Sequence, residues 1–85
     1  MSTKSFILAS RADKELSKLP IWIQKRALKA FETIMKNPVI GIKLHGELED
    51  YYKFRIGDYR IVYSFNSKNR TVSVLKIEHR QGVYR

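Results

Sequence analysis

Lys53, Arg55 and Arg60 in one short stretch, with His79, Arg80 and Tyr84 near the end of the chain, are the side chains here that could do chemistry. Cations hold phosphates and an exposed aromatic ring stacks on a base, the combination expected for single-stranded RNA or DNA. Cutting RNA without a metal asks for more. A 2′-OH must lose its proton, charge on the phosphorane must be stabilised, and the 5′-oxygen must be helped to leave. Arginines suit the second task, because they stay charged and offer planar forks to phosphate oxygens. Lys53, crowded by Arg55 and Arg60, is the candidate base. Histidine is the side chain type suited to proton transfer near neutral pH, so His79 reads either as a proton-transfer group or as a packed or solvated strand-end histidine. His45, in a turn beside Gly46, reads as a surface residue. The sequence shows no carboxylate pair, histidine cluster or glycine-rich phosphate loop. Metal hydrolysis and nucleoside triphosphate chemistry are therefore poor readings, and neither a metal nor a cofactor is expected.

The element that must position these groups is a hairpin. The alternating runs Tyr51–Ile56 and Tyr59–Tyr63 are separated by Gly57-Asp58, which suits a type II′ turn. Ile56 then faces Tyr59, Arg55 faces Arg60, Phe54 faces Ile61, Lys53 faces Val62 and Tyr52 faces Tyr63. Alternation puts Tyr52, Phe54, Ile56, Tyr59, Ile61 and Tyr63 on one side as core, and Lys53, Arg55 and Arg60 on the other. Like charges opposite one another oppose folding, so the cluster points to a polyanion site.

Around the hairpin, Lys4–Leu8 reads as a first strand. Ser10 is expected as an N-cap with Asp13 returning a bond, opening a short helix whose Ala12, Leu16 and Leu19 share a face. Leu19-Pro20 breaks it, and a second helix is predicted over Ile21–Lys36, burying Ala27, Leu28, Phe31, Ile34 and Met35. Asn37-Pro38 ends that helix, and Val39–Glu49 reads as a connection. Thr71–His79 reads as the last long strand, with a β-bulge near Val74-Leu75 that puts Val72, Val74, Leu75 and Ile77 together on the core side. Lys76, Glu78 and Arg80 then turn toward the cationic face. The expected architecture is α+β, in the order β-α-α-β-β-β, an antiparallel sheet with a two-helix hairpin on one face.

The 85 residues read as one domain spanning 1–85, with no repeats. Without cysteine there are no disulfides or thiolate metal sites, which fits a cytoplasmic protein. No apolar run is long enough to span a bilayer, and no signal peptide is evident, so no membrane role is expected. Seventeen Lys and Arg against eight Asp and Glu give a net charge of +9, which points to an anionic partner.

Lys43-Leu44-His45-Gly46, Tyr52-Lys53-Phe54-Arg55, Gly57-Asp58-Tyr59-Arg60-Ile61-Val62-Tyr63 and His79-Arg80 with Val83-Tyr84 resemble the RelE-like toxins of type II toxin–antitoxin systems. The likeness runs over essentially the whole chain. It implies a compact β-α-α-β-β-β fold and an endoribonuclease that cuts mRNA in the ribosomal A site by 2′-OH attack, leaving a cyclic phosphate and a 5′-hydroxyl. By position, Lys53 resembles the family's proposed base or charge stabiliser, and Arg55 a second basic site that is lysine in the best-known member. Arg60 is similar to the arginine that stabilises the phosphorane, Arg80 to the proposed general acid, and Tyr84 to the tyrosine that stacks on the message. Relatives with histidine near the C-terminal end use it in proton transfer, which keeps His79 in the RNA-binding set. The resemblance further implies an acidic RelB-like antitoxin as partner, with operator DNA reached only through the antitoxin complex. Two rivals share the fold: ParE-like toxins, which bind DNA gyrase and lack this basic and tyrosine set, and an inactive toxin-like binding module.

Overall fold

The computed structural model describes residues 3–44 and 50–79. The elements are β1 (Ser5–Leu8), α1 (Ser10–Ser17), α2 (Ile21–Lys36), β2 (Ile42–Leu44), β3 (Asp50–Ile56), β4 (Tyr59–Asn66) and β5 (Thr71–His79). They form one sheet in the order β1-β5-β4-β3-β2, with both helices contributing to a single core on one side of it. No described helix is long and apolar enough to cross a membrane.

The α+β class, the two-helix layer and the bounds of α2 and β5 agree with the sequence reading. Two features correct it. β1 pairs with β5 in parallel, Ser5 to Leu8 against Thr71 to Val74, so the sheet is mixed rather than wholly antiparallel. Its entry is set by the carbonyl of Arg70, which accepts from Lys4 N at 2.7 Å, and its exit by Ala9 N donating to Val74 O at 3.0 Å. Residue periodicity says which side chains share a face but not which way a distant strand runs, so this pairing belongs to tertiary structure. The second feature is β2, three residues inside the stretch read as a connection, paired antiparallel with β3. Three residues are too few for alternation to declare itself.

The central hairpin has the expected register throughout, from Ile56 against Tyr59 to Tyr52 against Tyr63. Gly57 has φ +63°, and Asp58 is not among the positive-φ residues, the combination a type II′ turn requires. Between β4 and β5 the pairing shifts from Val62 against Lys76 to Tyr63 against Val74. Leu75 is the extra residue, and this bulge brings Val72, Val74 and Ile77 to the buried side. Leu75 itself, expected there with them, is only half-buried and stays out of the core, because the unpaired bulge residue has no position in the ladder.

The helices bury Ala12, Ile23, Ala27, Ala30, Phe31 and Ile34 against Tyr52, Ile56, Ile61, Tyr63, Phe65, Val72, Val74 and Ile77. Leu28 departs from the expected stripe and is 56% exposed, because the buried arc of α2 centres on Ile23, Ala27, Ala30 and Ile34. Ser10 is not the N-cap. The helix begins at Ser10, Ala9 takes the extended cap conformation, and no side chain caps the end. Glu15 contributes instead from the middle of α1. Its Oε1 accepts from Ile77 N at 2.8 Å, on the part of β5 that lies beyond the end of β1. Its Oε2 meets Arg11 Nε at 3.1 Å.

Candidate functional site

The face of the sheet opposite the helices is organised by two cross-strand rows. Arg55 lies opposite Arg60, and Arg60 opposite Glu78; next to them Lys53 lies opposite Val62, and Val62 opposite Lys76. Neighbouring strands are about 4.8 Å apart and alternate residues on a strand about 6.7 Å apart, so these six positions occupy one small patch. Four of the six are cationic, and among the described residues no helix packs on this side. Val62 is only 7% exposed there, with lysines as its register neighbours on both sides, as expected where long alkyl stems lie over an apolar residue.

Glu78 is the one carboxylate in the patch. Its Oε1 is 3.2 Å from Arg60 Nε and its Oε2 is 3.2 Å from Lys76 Nζ, so a single acid bridges two cations. The Arg60 Nε is shut off from solvent and is not aligned in a hydrogen bond. The Arg60–Glu78 contact is therefore a charge pairing rather than a linear bond. Lys53 and Arg55 form no ion pair among the described residues that competes with an incoming anion. The patch keeps a surplus of positive charge and can hold phosphate.

The patch is fixed from behind by Tyr63, which is completely buried at the centre of β4. Its hydroxyl donates to Pro38 O at 2.8 Å and accepts from Gly41 N at 3.1 Å, and its ring stacks on Tyr52 with centroids 5.2 Å apart. Gly41 has no room for a side chain. A Cβ there would lie 2.8 Å from both the Tyr63 hydroxyl and the carbonyl oxygen of Lys53. The close approach of residue 41 to Lys53 ties the edge of the sheet to the strand that carries two of the cations.

A family model described as the ParE toxin of type II toxin–antitoxin system parDE matches residues 6–84. Toxin RelG of Mycobacterium tuberculosis is 33% identical over 76 residues, 87% of each chain. Toxin RelE of the same organism is 30% identical over 80 residues, 92% of this chain and 82% of that one. In the crystal structure of the archaeal RelE–RelB complex from Pyrococcus horikoshii, a chain 31% identical superposes with a TM-score of 0.82, covering 94% of this chain and 97% of that one. This chain belongs to the RelE-like toxins of type II toxin–antitoxin systems.

Of the residues singled out in the toxin's sequence, Lys53, Arg55 and Arg60 come together as expected. His79 does not join them. It is opposite Tyr59 on the helix side of the sheet, with the two rings edge-on at 4.8 Å, because one residue beyond Glu78 the strand's alternation reverses the side. Arg80 and Tyr84 lie outside the described residues, as does His45. Sequence reasoning turned Lys76 and Glu78 toward this face but did not foresee the bridge that Glu78 makes. The signal was available in Lys76-Ile77-Glu78, where two opposite charges two residues apart share a side once the bulge is placed. No group of three or more His, Cys, Asp or Glu suited to a metal occurs among the described residues.

Proposed function

We propose that the toxin is a ribosome-dependent endoribonuclease that cleaves mRNA in the A site. The reading is carried by one observation: Lys53, Arg55, Arg60 and Lys76 share the face of the sheet that the helices leave open. In the reaction the 2′-oxygen forms a bond to phosphorus while the bond to the 5′-oxygen breaks, giving a 2′,3′-cyclic phosphate and a 5′-hydroxyl. The 2′-OH proton passes to a base and a proton is delivered to the departing oxygen. Arg60 holds the charge that builds on the phosphorane, with Arg55 beside it. Lys53 is the candidate base or charge stabiliser. Arg80 as acid and Tyr84 as stacking ring are assigned by family likeness alone.

This set holds no strong base in a ready state, so the ribosome supplies what is missing by bending the message into line. The toxin accordingly acts in the cytoplasm. RelE is found with RelB in the P. horikoshii complex. For this toxin an acidic RelB-like antitoxin complements the cationic patch and silences it, and operator DNA is met only through the toxin–antitoxin complex. The ParE description of the matching family model supports a second reading, inhibition of DNA gyrase. Primer extension on mRNA in a reconstituted translation system separates the two. Cuts within A-site codons support the nuclease; intact message together with inhibited gyrase supports the alternative.

A further inference from the structure

We propose that Glu78 is the positioning residue for Arg60, an inference that rests on the nuclease reading. A carboxylate placed among cations that serve a phosphate would at first sight compete with the substrate. Its geometry gives it another task. Glu78 meets the guanidinium at Nε, the nitrogen nearest the backbone, so the two terminal nitrogens of the fork lie beyond the contact. On the opposite flank Arg55 repels Arg60, and both effects push the guanidinium toward β5. The Arg60 side chain is only 20% exposed and its Nε is sealed from water, so it has little freedom to point elsewhere. Lys76, 3.2 Å from the other carboxylate oxygen, fixes Glu78 in turn.

The chain of contacts is thus Lys76 to Glu78 to Arg60, ending in a guanidinium edge offered to phosphate. Because the Nε–H is out of line with the carboxylate, the pairing directs Arg60 without locking it, and an arriving phosphate can draw the fork forward. Glu78 also cancels one charge of the patch, which limits grip on any RNA backbone while preserving the orientation that matters in the transition state.

The test uses full-length toxin and the variants Glu78→Gln, Arg60→Ala and both together. On ribosome-bound message, Glu78→Gln is expected to slow single-turnover cleavage by up to about 100-fold, the loss typical of a misplaced catalytic group. The double variant is expected to be no slower than Arg60→Ala alone, since Glu78 acts through Arg60. Binding of a single-stranded oligoribonucleotide, followed by fluorescence anisotropy, should be unchanged or tighter in Glu78→Gln. An unchanged cleavage rate, weaker binding, or rate losses that multiply in the double variant would each overturn the proposal. ¹⁵N NMR of the Arg60 Nε–H gives a readout independent of activity: a protected signal in wild type that becomes exchangeable in Glu78→Gln supports the pairing, and an unaltered signal refutes it. If wild type cuts no message the nuclease reading fails, and the NMR comparison still decides whether Glu78 orients Arg60. Glu78→Asp, one methylene shorter, is expected to fall between the two in every measurement and takes the place of Glu78→Gln if that variant does not fold.

Discussion

The hydroxyl of Tyr63 donates to the carbonyl of Pro38 at 2.8 Å, linking the central strand to the chain that has just left α2. The same oxygen accepts from Gly41 N, so removing it leaves two backbone groups without their partner. Tyr63→Phe is expected to cost about 1–3 kcal/mol of stability, measured from urea unfolding midpoints. The effect should depend on pH. Burial raises the pKa of the Tyr63 phenol above its ordinary 10.0, outweighing the opposing hydrogen bond from Gly41. A raised folded-state value means that the contribution is complete below the unfolded value and is lost as pH rises through the folded one. Wild type should therefore lose stability above pH 10 more steeply than Tyr63→Phe.

Gly41→Ala places a Cβ 2.8 Å from backbone and hydroxyl oxygens that cannot both retreat. A loss of about 1–3 kcal/mol is expected from the overpacking. Since one of those oxygens belongs to Lys53, RNA binding should weaken as well. Thermal melting and oligoribonucleotide anisotropy on the same preparation check both effects.

Glu15 supplies the acceptor for an Ile77 N–H that the end of β1 leaves uncovered. Glu15→Ala should destabilise the fold by about 1 kcal/mol, the low end of the cost of stranding a donor, since this one is only partly buried. Hydrogen exchange should speed up at Ile77 before it does at Ile61, which lies in the centre of the sheet.

Arg55 is exposed and carries no ion pair among the described residues, so its contribution to RNA binding should be purely electrostatic. Arg55→Ala is expected to weaken binding of every single-stranded sequence alike. The slope of log affinity against log salt should fall by about 0.7, the value for one phosphate contact on a single strand. A loss confined to particular sequences would point to base recognition instead.

The sequence disclosed most about the hairpin, because alternation on both runs and Gly57-Asp58 between them leave one register that buries the aromatic residues. The bulge at Leu75 was legible for the same reason: the hydrophobic phase changes in the middle of β5. The edges of the sheet were not. Parallel attachment of β1 and the three-residue β2 depend on backbone partners contributed by Arg70, Val74 and β3, which leave no periodic mark. In the site, residue types located the cations, but the Glu78 bridge depends on distances that only a fold supplies. His79 shows the opposite failure. Its type suggested proton transfer within the RNA-binding set, yet its strand position places it against Tyr59.

The most direct test of the account is the single-turnover rate of mRNA cleavage on programmed ribosomes for wild type and Arg60→Ala, with free RNA of the same sequence alongside. Wild type should cut within the A-site codon, leave 5′-hydroxyl ends and act poorly on free RNA. Arg60→Ala should be slower by about 100- to 1,000-fold, as befits loss of a group that meets developing charge. Equal rates for the two proteins, or message left whole by wild type, would contradict it.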